Sequence, residues 1–414
     1  MMSEPDAENL EYITTADGAR IACKRKPRSG ARPIVFVHGI ACNADLWDVP
    51  RIEGPDYTFV GLPTVLHEAG YDIWLMNLRG CGAPHMLSEP PPEQEDWCVD
   101  HFILYDLPAV VEHVRQTAGR RPFVIGNSMG AMTTAGWLQG ATLEAAEEDE
   151  GIASENEHVW ITASVEAARE RQKAVAGAIF VEFPAALRWP KSLYDDDGKL
   201  KWRELMTAWQ ATAADVNYPF EMLSRMSWLQ AILGAVGEVR LDWIRPTPAD
   251  SRWWKSAPAP VAETCERIED SWRQGVRKFV ARFKGAQNFR PETFERGLLA
   301  SADHFKAGVL DQMGKSVRAG AFVSDLGAPD HVYSDHYGNI ELPSLVIAGG
   351  EDRIANADVT RAVFFERIAS VDKSFHCFEG LAHGDFEYAP AAGVHVFPLI
   401  RRWIDERDKR PGCA

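Results

Sequence analysis

An α/β fold, with a mostly parallel sheet covered by helices on both faces and a large, mainly helical insertion, is what three features of this 414-residue chain predict. Short apolar runs alternate with helical patterns, the signature of parallel strands joined by crossover helices. That alternation stops after about residue 183 and resumes near Leu342. The length also exceeds the roughly 250–300 residues at which a single hydrophobic core stops growing, so a core plus an insertion is expected. The predicted division is a first core part over 1–183, a cap over 184–340 and a second core part over 341–414.

The elements follow in order. Glu11-Tyr12-Ile13-Thr14-Thr15 and Arg20-Ile21-Ala22-Cys23-Lys24 flank Ala16-Asp17-Gly18, a hairpin turn signal, and are read as antiparallel strands ahead of the parallel sheet. Pro33-Ile34-Val35-Phe36-Val37 is a buried-strand run. Leu66 to Gly70 ends a helix, and Tyr71 to Asn77 forms the next strand. Pro122-Phe123-Val124-Ile125 is a strand running straight into Gly126-Asn127-Ser128-Met129-Gly130, after which Ala131 to Leu138 reads as a helix. Residues 144–157 are densely acidic and mark a solvated surface insertion extending to about 172. Ala178-Ile179-Phe180-Val181 restores the strand pattern. The stretch 184–340 holds Trp189, Trp202, Trp209, Trp228, Trp243, Trp253, Trp254 and Trp272, more than half of the chain's 14 Trp. Within it Ile268, Trp272, Val276, Phe279 and Phe283 recur as one face of an amphipathic helix. Trp253 and Trp254 lie between prolines that exclude regular helix or strand, on a loop that is either a substrate-facing lid or a segment anchored by buried aromatics.

The chemistry concentrates at Gly126-Asn127-Ser128-Met129-Gly130. A Gly-x-Ser-x-Gly turn between strand and helix is a nucleophile elbow, in which the flanking glycines let a strained Ser stand clear of its neighbours. Its partners are an upstream N–H donor, then an acid and a His downstream. Val37-His38-Gly39-Ile40 ends the earlier strand in a sharp turn, so the N–H groups of Ile40 and Met129 form the expected oxyanion hole; losing one such donor costs roughly 10²- to 10³-fold in turnover. His38 reads as structural. Leu342 to Gly350 is a strand ending in Glu351-Asp352, and Asp352 is preferred as the acid. His383, in a loop past the strand-like Ser374 to Phe378, is preferred over His376 as the base. Ser128, His383 and Asp352 then make a nucleophile, base and orienting acid.

Composition bounds the partners. A net charge of −16 argues against nucleic acid or an anionic membrane surface. The seven Cys show no paired spacing, so neither a disulfide framework nor a zinc site is suggested, and no motif calls for a metal or organic cofactor. The acidic start lacks the regions of a signal peptide and no apolar run is long enough to span a bilayer, which gives a cytoplasmic expectation. Self-association into a homo-oligomer is compatible with the sequence.

The chain resembles the α/β-hydrolase superfamily, and within it is similar to the acid lipases. The residues that carry this are Gly70-Tyr71-Asp72-Ile73-Trp74-Leu75-Met76-Asn77-Leu78-Arg79-Gly80, Tyr105-Asp106-Leu107-Pro108-Ala109 and His383-Gly384-Asp385-Phe386, in family order around the elbow. The resemblance covers about residues 10–140 and 335–405. It implies Ser128, Asp352 and His383 as nucleophile, acid and base, and Ile40 and Met129 as oxyanion donors. Acid lipases carry His and Gln where this chain has Asn127 and Met129, which sets it apart from triglyceride and sterol-ester hydrolysis. The expectation is a carboxylic-ester hydrolase acting on a small-molecule or lipid-like ester, lactone or thioester with an apolar or bulky acyl part. Two alternatives share the constellation: an acyltransferase of the homoserine-acetyltransferase type, and a carbon–carbon bond hydrolase.

Overall fold

The computed structural model describes residues 9–145, 159–187, 290–327, 329–352 and 354–409, with short stretches at 238–239, 259–260, 262–263, 267 and 288. Eight of the described strands join in one sheet: β1 (Leu10–Thr14), β2 (Arg20–Lys26), β3 (Pro33–Val37), β4 (Asp72–Met76), β5 (Phe123–Asn127), β6 (Gly177–Val181), β7 (Ser344–Gly349) and β8 (Lys373–Phe378). Their order across the sheet is β1-β2-β4-β3-β5-β6-β7-β8. Strand β2 runs antiparallel to both of its neighbours, and every other pairing is parallel. The β1–β2 hairpin turns at Gly18, whose φ of 91° suits a residue without a side chain.

The continuous apolar runs have a simple physical reason. Successive side chains of a strand point to opposite faces, and here both faces are covered. Val35 and Val37 of β3 join Trp74, Met76, Val124, Phe180 and Val346 in one buried cluster. Ile34 and Phe36 join Ile73, Leu75, Phe123, Ile125, Ile179, Val181, Leu345 and Ile347 in the other. The helices that cover them are α1 (Leu62–Glu68), α2 (Leu107–Ala118), α3 (Met129–Leu138), α4 (Val165–Lys173), α5 (Ala307–Ala319) and α6 (Pro390–Asp408). The first face receives α2, α3 and α5, through residues such as Val110, Val114, Met132, Val309 and Met313. The second receives α1 and α6, through Leu62, Leu66, Val396, Ile400 and Trp403. Each side chain of this size contributes about 1.5–3 kcal/mol when fully buried.

Residues 294–342 belong to this packing. Phe294 and Leu299 sit in the α6 cluster, while Val317, Phe322, Tyr333, Tyr337, Ile340 and Leu342 sit in the opposite one. The last part of the stretch read as cap therefore supplies core contacts well before residue 341. Of the acidic insertion, the described parts are an antiparallel ribbon, Ala141–Ala145 against Val159–Ala163, and α4. The Arg171 guanidinium of α4 donates to the carbonyls of Trp137 and Ala141, closing α4 onto the end of α3. The acidic run from 146 to 157, the amphipathic stretch from Ile268 to Phe283, and Trp253 and Trp254 lie outside the described residues.

A buried carboxylate ties residues 307–333 to the core. Asp100 has no exposure and accepts from Gln312 Nε2 (2.6 Å), Tyr333 Oη (2.8 Å) and the backbone N–H groups of Asp325 and Leu326 (2.7 Å each). Burial pushes its carboxyl above the ordinary range, while these donors oppose that shift. Removing it leaves several buried donors unsatisfied, each costing about 1–3 kcal/mol. Asp100→Ala is thus expected to destabilise the fold by about 3 kcal/mol, read as a lowered urea midpoint with an unchanged slope; a midpoint within error of the parent would contradict the anchoring role.

Candidate active site

The chain runs from β3 outward to β4 and then returns past β3 to β5. The order reverses there, and a crevice at the carboxyl ends of β3 and β5 is where open α/β sheets bind ligands. Both segments singled out in the sequence, Gly39-Ile40 after β3 and Ser128 after β5, stand at this point.

Ser128 is the residue between β5 and α3, with φ 50° and ψ −117°, a conformation that L side chains rarely adopt. Close approach explains the glycines. A Cβ on Gly126 would lie 2.6 Å from the Gly130 carbonyl oxygen, and one on Gly130 would collide with the carbonyls of Val37 and His38. The Ser128 N–H donates to Val181 O (2.9 Å), which fixes the turn against β6.

Three buried side chains from three separate segments meet here. The Ser128 hydroxyl is 3.0 Å from His383 Nε2, and His383 Nδ1 is 2.9 Å from Asp352 Oδ2. The residues are 5%, 4% and 5% exposed respectively, so water is largely excluded from both hydrogen bonds. The carboxylate can only accept from Nδ1–H, which leaves Nε2 to accept from the hydroxyl. Asp352 is itself held by the N–H groups of Ile354 and Ala355, each 2.8 Å from Oδ1. Its neighbour Glu351 is exposed, and His376 sits within β8, so the structure brings together the members that the sequence reading preferred.

The Gly39-Ile40 segment abuts the elbow. A Cβ on Gly39 would lie 2.7 Å from Asn127 Oδ1 and 3.2 Å from Ser128 Cβ. Its orientation is set by His38, which has no exposure: Nε2 accepts from the Leu78 N–H (3.0 Å) and Nδ1–H donates to Gly39 O (2.8 Å). Burial lowers its basicity to about 4, so it stays neutral and keeps both bonds. Ala41, with φ 63°, completes the turn, and its carbonyl accepts from the Asp303 N–H (3.0 Å). Asp303 in turn accepts from Asn43 Nδ2 and the Gly82 N–H, clamping the loops after β3 and β4 together.

Sequence reasoning missed two buried glutamates and the clamp at Asp303. Asn127 Nδ2 donates to Glu182 Oε2 (2.8 Å) and to Glu387 Oε1 (2.7 Å). Glu182 Oε1 also accepts from the Gly384 N–H, and Oε2 is 3.9 Å from His383 Nδ1. The available signal was local: a Glu directly after the run Ile179-Phe180-Val181 stands at the same sheet edge as the elbow. Among the described residues, Glu182, Asp352 and His383 are also a donor set that could hold a cation, with ligand atoms within 4.8 Å of one another. Both ring nitrogens of His383 are already hydrogen-bonded, to Ser128 and Asp352, so a metal would have to break that chain. Trp253 and Trp254 lie outside the described residues, and no helix among those described is long and apolar enough to cross a membrane.

Comparison with known proteins divides along the same lines. A family model described as alpha/beta hydrolase fold matches residues 32–142, which include Gly39, Ile40 and Ser128. One described as serine aminopeptidase S33 matches residues 311–386, which include Asp352 and His383. Over 147 residues the chain is 33% identical to human gastric triacylglycerol lipase, covering 32% of this chain and 35% of the lipase. It is 31% identical over 139 residues to lipase lipl-1 of Caenorhabditis elegans, covering 29% of this chain and 32% of that protein. The matched region thus spans about a third of the length of these curated relatives. A solved monoacylglycerol lipase from Paleococcus ferrophilus aligns over 94% of this chain and 99% of its own, with 13% identity and a TM-score of 0.47. Its sheet order and its elbow between β5 and α3 are those of the α/β-hydrolase fold, and the matched stretches are similar to lipases.

Proposed function

We propose that this protein is a serine hydrolase that cleaves a carboxylic ester through an acyl-enzyme intermediate. The observation that carries the reading is the buried chain from Ser128 through His383 to Asp352, set against the Gly39 turn whose next residue, Ile40, we assign with Met129 to the oxyanion hole. His383 takes the Ser128 proton as Oγ attacks the acyl carbon, and returns it to the leaving alcohol as the tetrahedral intermediate collapses. Water, activated by the same imidazole, then releases the acid. Asp352 holds the ring in the tautomer that can accept at Nε2 and stabilises the imidazolium. Neither the Ile40 nor the Met129 N–H has a hydrogen-bond partner among the described residues, which leaves both for the oxyanion.

The relatives named as lipases support a lipid-like ester as substrate, with an apolar or bulky acyl part. Trp253 and Trp254 are assigned, from the sequence alone, to binding the acyl part. A cytoplasmic location agrees with Cys23, Cys98 and Cys377, which stand as thiols without a disulfide.

The test is hydrolysis of a p-nitrophenyl ester series from acetate to long acyl chains. Ser128→Ala is expected to lower turnover by roughly 10⁶-fold, the scale seen when a triad Ser is removed elsewhere. Loss of less than about tenfold would discard the serine mechanism. Because His383 is used at both nitrogens, EDTA is expected to leave the rate unchanged. Gly39→Val, which drives a side chain into Asn127 and Ser128, is expected to lower kcat by at least about 10²-fold with KM nearly constant, since it displaces a donor used in the transition state. Replacing Trp253 and Trp254 by Ala is expected to weaken long esters more than acetate; equal loss on both would remove these residues from the acyl site.

A further inference from the structure

Glu182 has a position that packing alone does not explain. It follows β6 directly, has 1% exposure and adopts φ 49°, uncommon for a residue with a side chain. Its own N–H donates to Ile347 O of β7, which locks this backbone to the neighbouring strand. From there one carboxylate touches both sides of the reacting pair. Oε1 accepts from the N–H of Gly384, the residue after the base, and Oε2 accepts from Asn127, the residue before the nucleophile. The same Oε2 stands 3.9 Å from His383 Nδ1, one ångström beyond the Asp352 oxygen that holds the Nδ1 proton.

We propose that Glu182 is a second acid for the base: a positioning residue that pins the His383 loop to the elbow and shares with Asp352 the charge of the imidazolium. The proposal rests on the serine-hydrolase reading above. The balance of the step is unaltered, because the proton moves from Ser128 Oγ to His383 Nε2 and Glu182 neither gains nor loses one. Its contribution is a fixed negative charge near a ring that becomes positive, in surroundings where little water screens it. An opposite charge within about 4–6 Å typically moves a titration by 1–3 pH units.

The groups that face His383 come from several elements. Ser128 reaches it from the elbow, Asp352 from the turn after β7 and Glu182 from the end of β6. Asp385 lies in its own loop, where Oδ2 accepts from the Ala382 N–H and from Asn288. Glu387 and Tyr388, on the short helix Asp385–Tyr388, sit behind Asn127, and Tyr388 feels the charges of both glutamates. Among the described residues, Glu182 is the carboxylate that, after Asp352, stands within 4 Å of His383 Nδ1. It could therefore accept from Nδ1 after a small shift if Asp352 were gone.

The experiment follows kcat/KM for a p-nitrophenyl ester against pH in the full chain, with Ser128→Ala as the control that establishes the serine reaction. Glu182→Gln keeps an oxygen for the Gly384 N–H and removes the charge. It is expected to move the acid limb of the profile down by about one pH unit or more, since an imidazole with one less anion beside it loses its proton more readily. A brace of purely structural kind would lower kcat and leave that limb in place, and this result would overturn the proposal. Asp352→Ala gives a second reading that needs no change at Glu182. With Glu182 able to take Nδ1, the loss in kcat/KM is expected near 10²-fold, against the roughly 10⁴-fold found when an orienting acid acts alone. Adding Glu182→Gln to Asp352→Ala is expected to cost at least a further tenfold. A 10⁴-fold loss for Asp352→Ala by itself would overturn the proposal, and decides the matter should Glu182→Gln fail to fold. Retained turnover in Ser128→Ala would instead overturn the serine reading and this proposal with it.

Discussion

The close approach of two backbone turns, one ending β3 and one ending β5, is the constraint on which the rest of the molecule depends. Gly130 sits against the carbonyls of Val37 and His38, and Gly39 sits against Asn127 and Ser128. At that spacing the turn after β3 lies directly against Asn127 and Ser128. Any side chain at these glycines would force the turns apart. The parallel sheet makes such an approach available, because neighbouring parallel strands deliver their carboxyl ends to one edge. The buried clusters on either side hold the strands in register while the turns bear the strain. Stability and chemistry therefore meet at one point: the sheet supplies rigidity, and the rigidity keeps Ser128 at a positive φ that it would not hold in isolation.

How much was legible beforehand follows from how local each signal is. The elbow announces itself, since two glycines at fixed offsets from a Ser, behind an apolar run, have few other uses. His383 and Asp352 were legible from their place after strand-like runs, because a strand end fixes a side chain near the sheet edge. The sequence reading preferred Asp352 to its neighbour Glu351, and the hydrogen bonds of the Ile354 and Ala355 N–H groups to Asp352 are the physical hold that such a reading does not see. The end of the stretch read as cap was less legible. Residues 294–342 have the helical, aromatic-rich look of an insertion, yet Val309, Met313 and Val317 pack on the sheet face. Amphipathic periodicity reports that a helix buries one face, and says nothing of which surface receives it.

Polar anchors were the least legible part, because they join residues far apart in the chain. Asp100 meets Gln312 and Tyr333, Asp303 meets Asn43 and Gly82, and Asn127 meets Glu182 and Glu387. No periodicity encodes these pairs. Their cost explains why donors crowd Asp100 and Asp303, since a buried carboxylate is tolerated only when donors surround it. They also share a location: each fastens a loop at the carboxyl edge of the sheet or a helix that packs beside it. The apolar clusters give the sheet its stability, and these contacts determine which arrangement of loops the sheet edge carries.

The same geometry bears on which strand supplies the acid. Asp352 follows β7 and Glu182 follows β6, and the two strands are parallel neighbours with Val181 level with Ile347. Residues just past such paired strand ends fall within a few ångströms of one another, so a base reaching over that edge meets carboxylates from either strand. What separates the two roles is the turn. Asp352 comes after Gly349-Gly350 and is aimed by the N–H groups that follow it, whereas Glu182 is held back by Asn127 and the Gly384 N–H. The position of the acid along the sheet is therefore a property of loop length and local donors more than of the strand itself. In this chain one edge carries both Asp352, in contact with His383, and a second carboxylate one ångström further out.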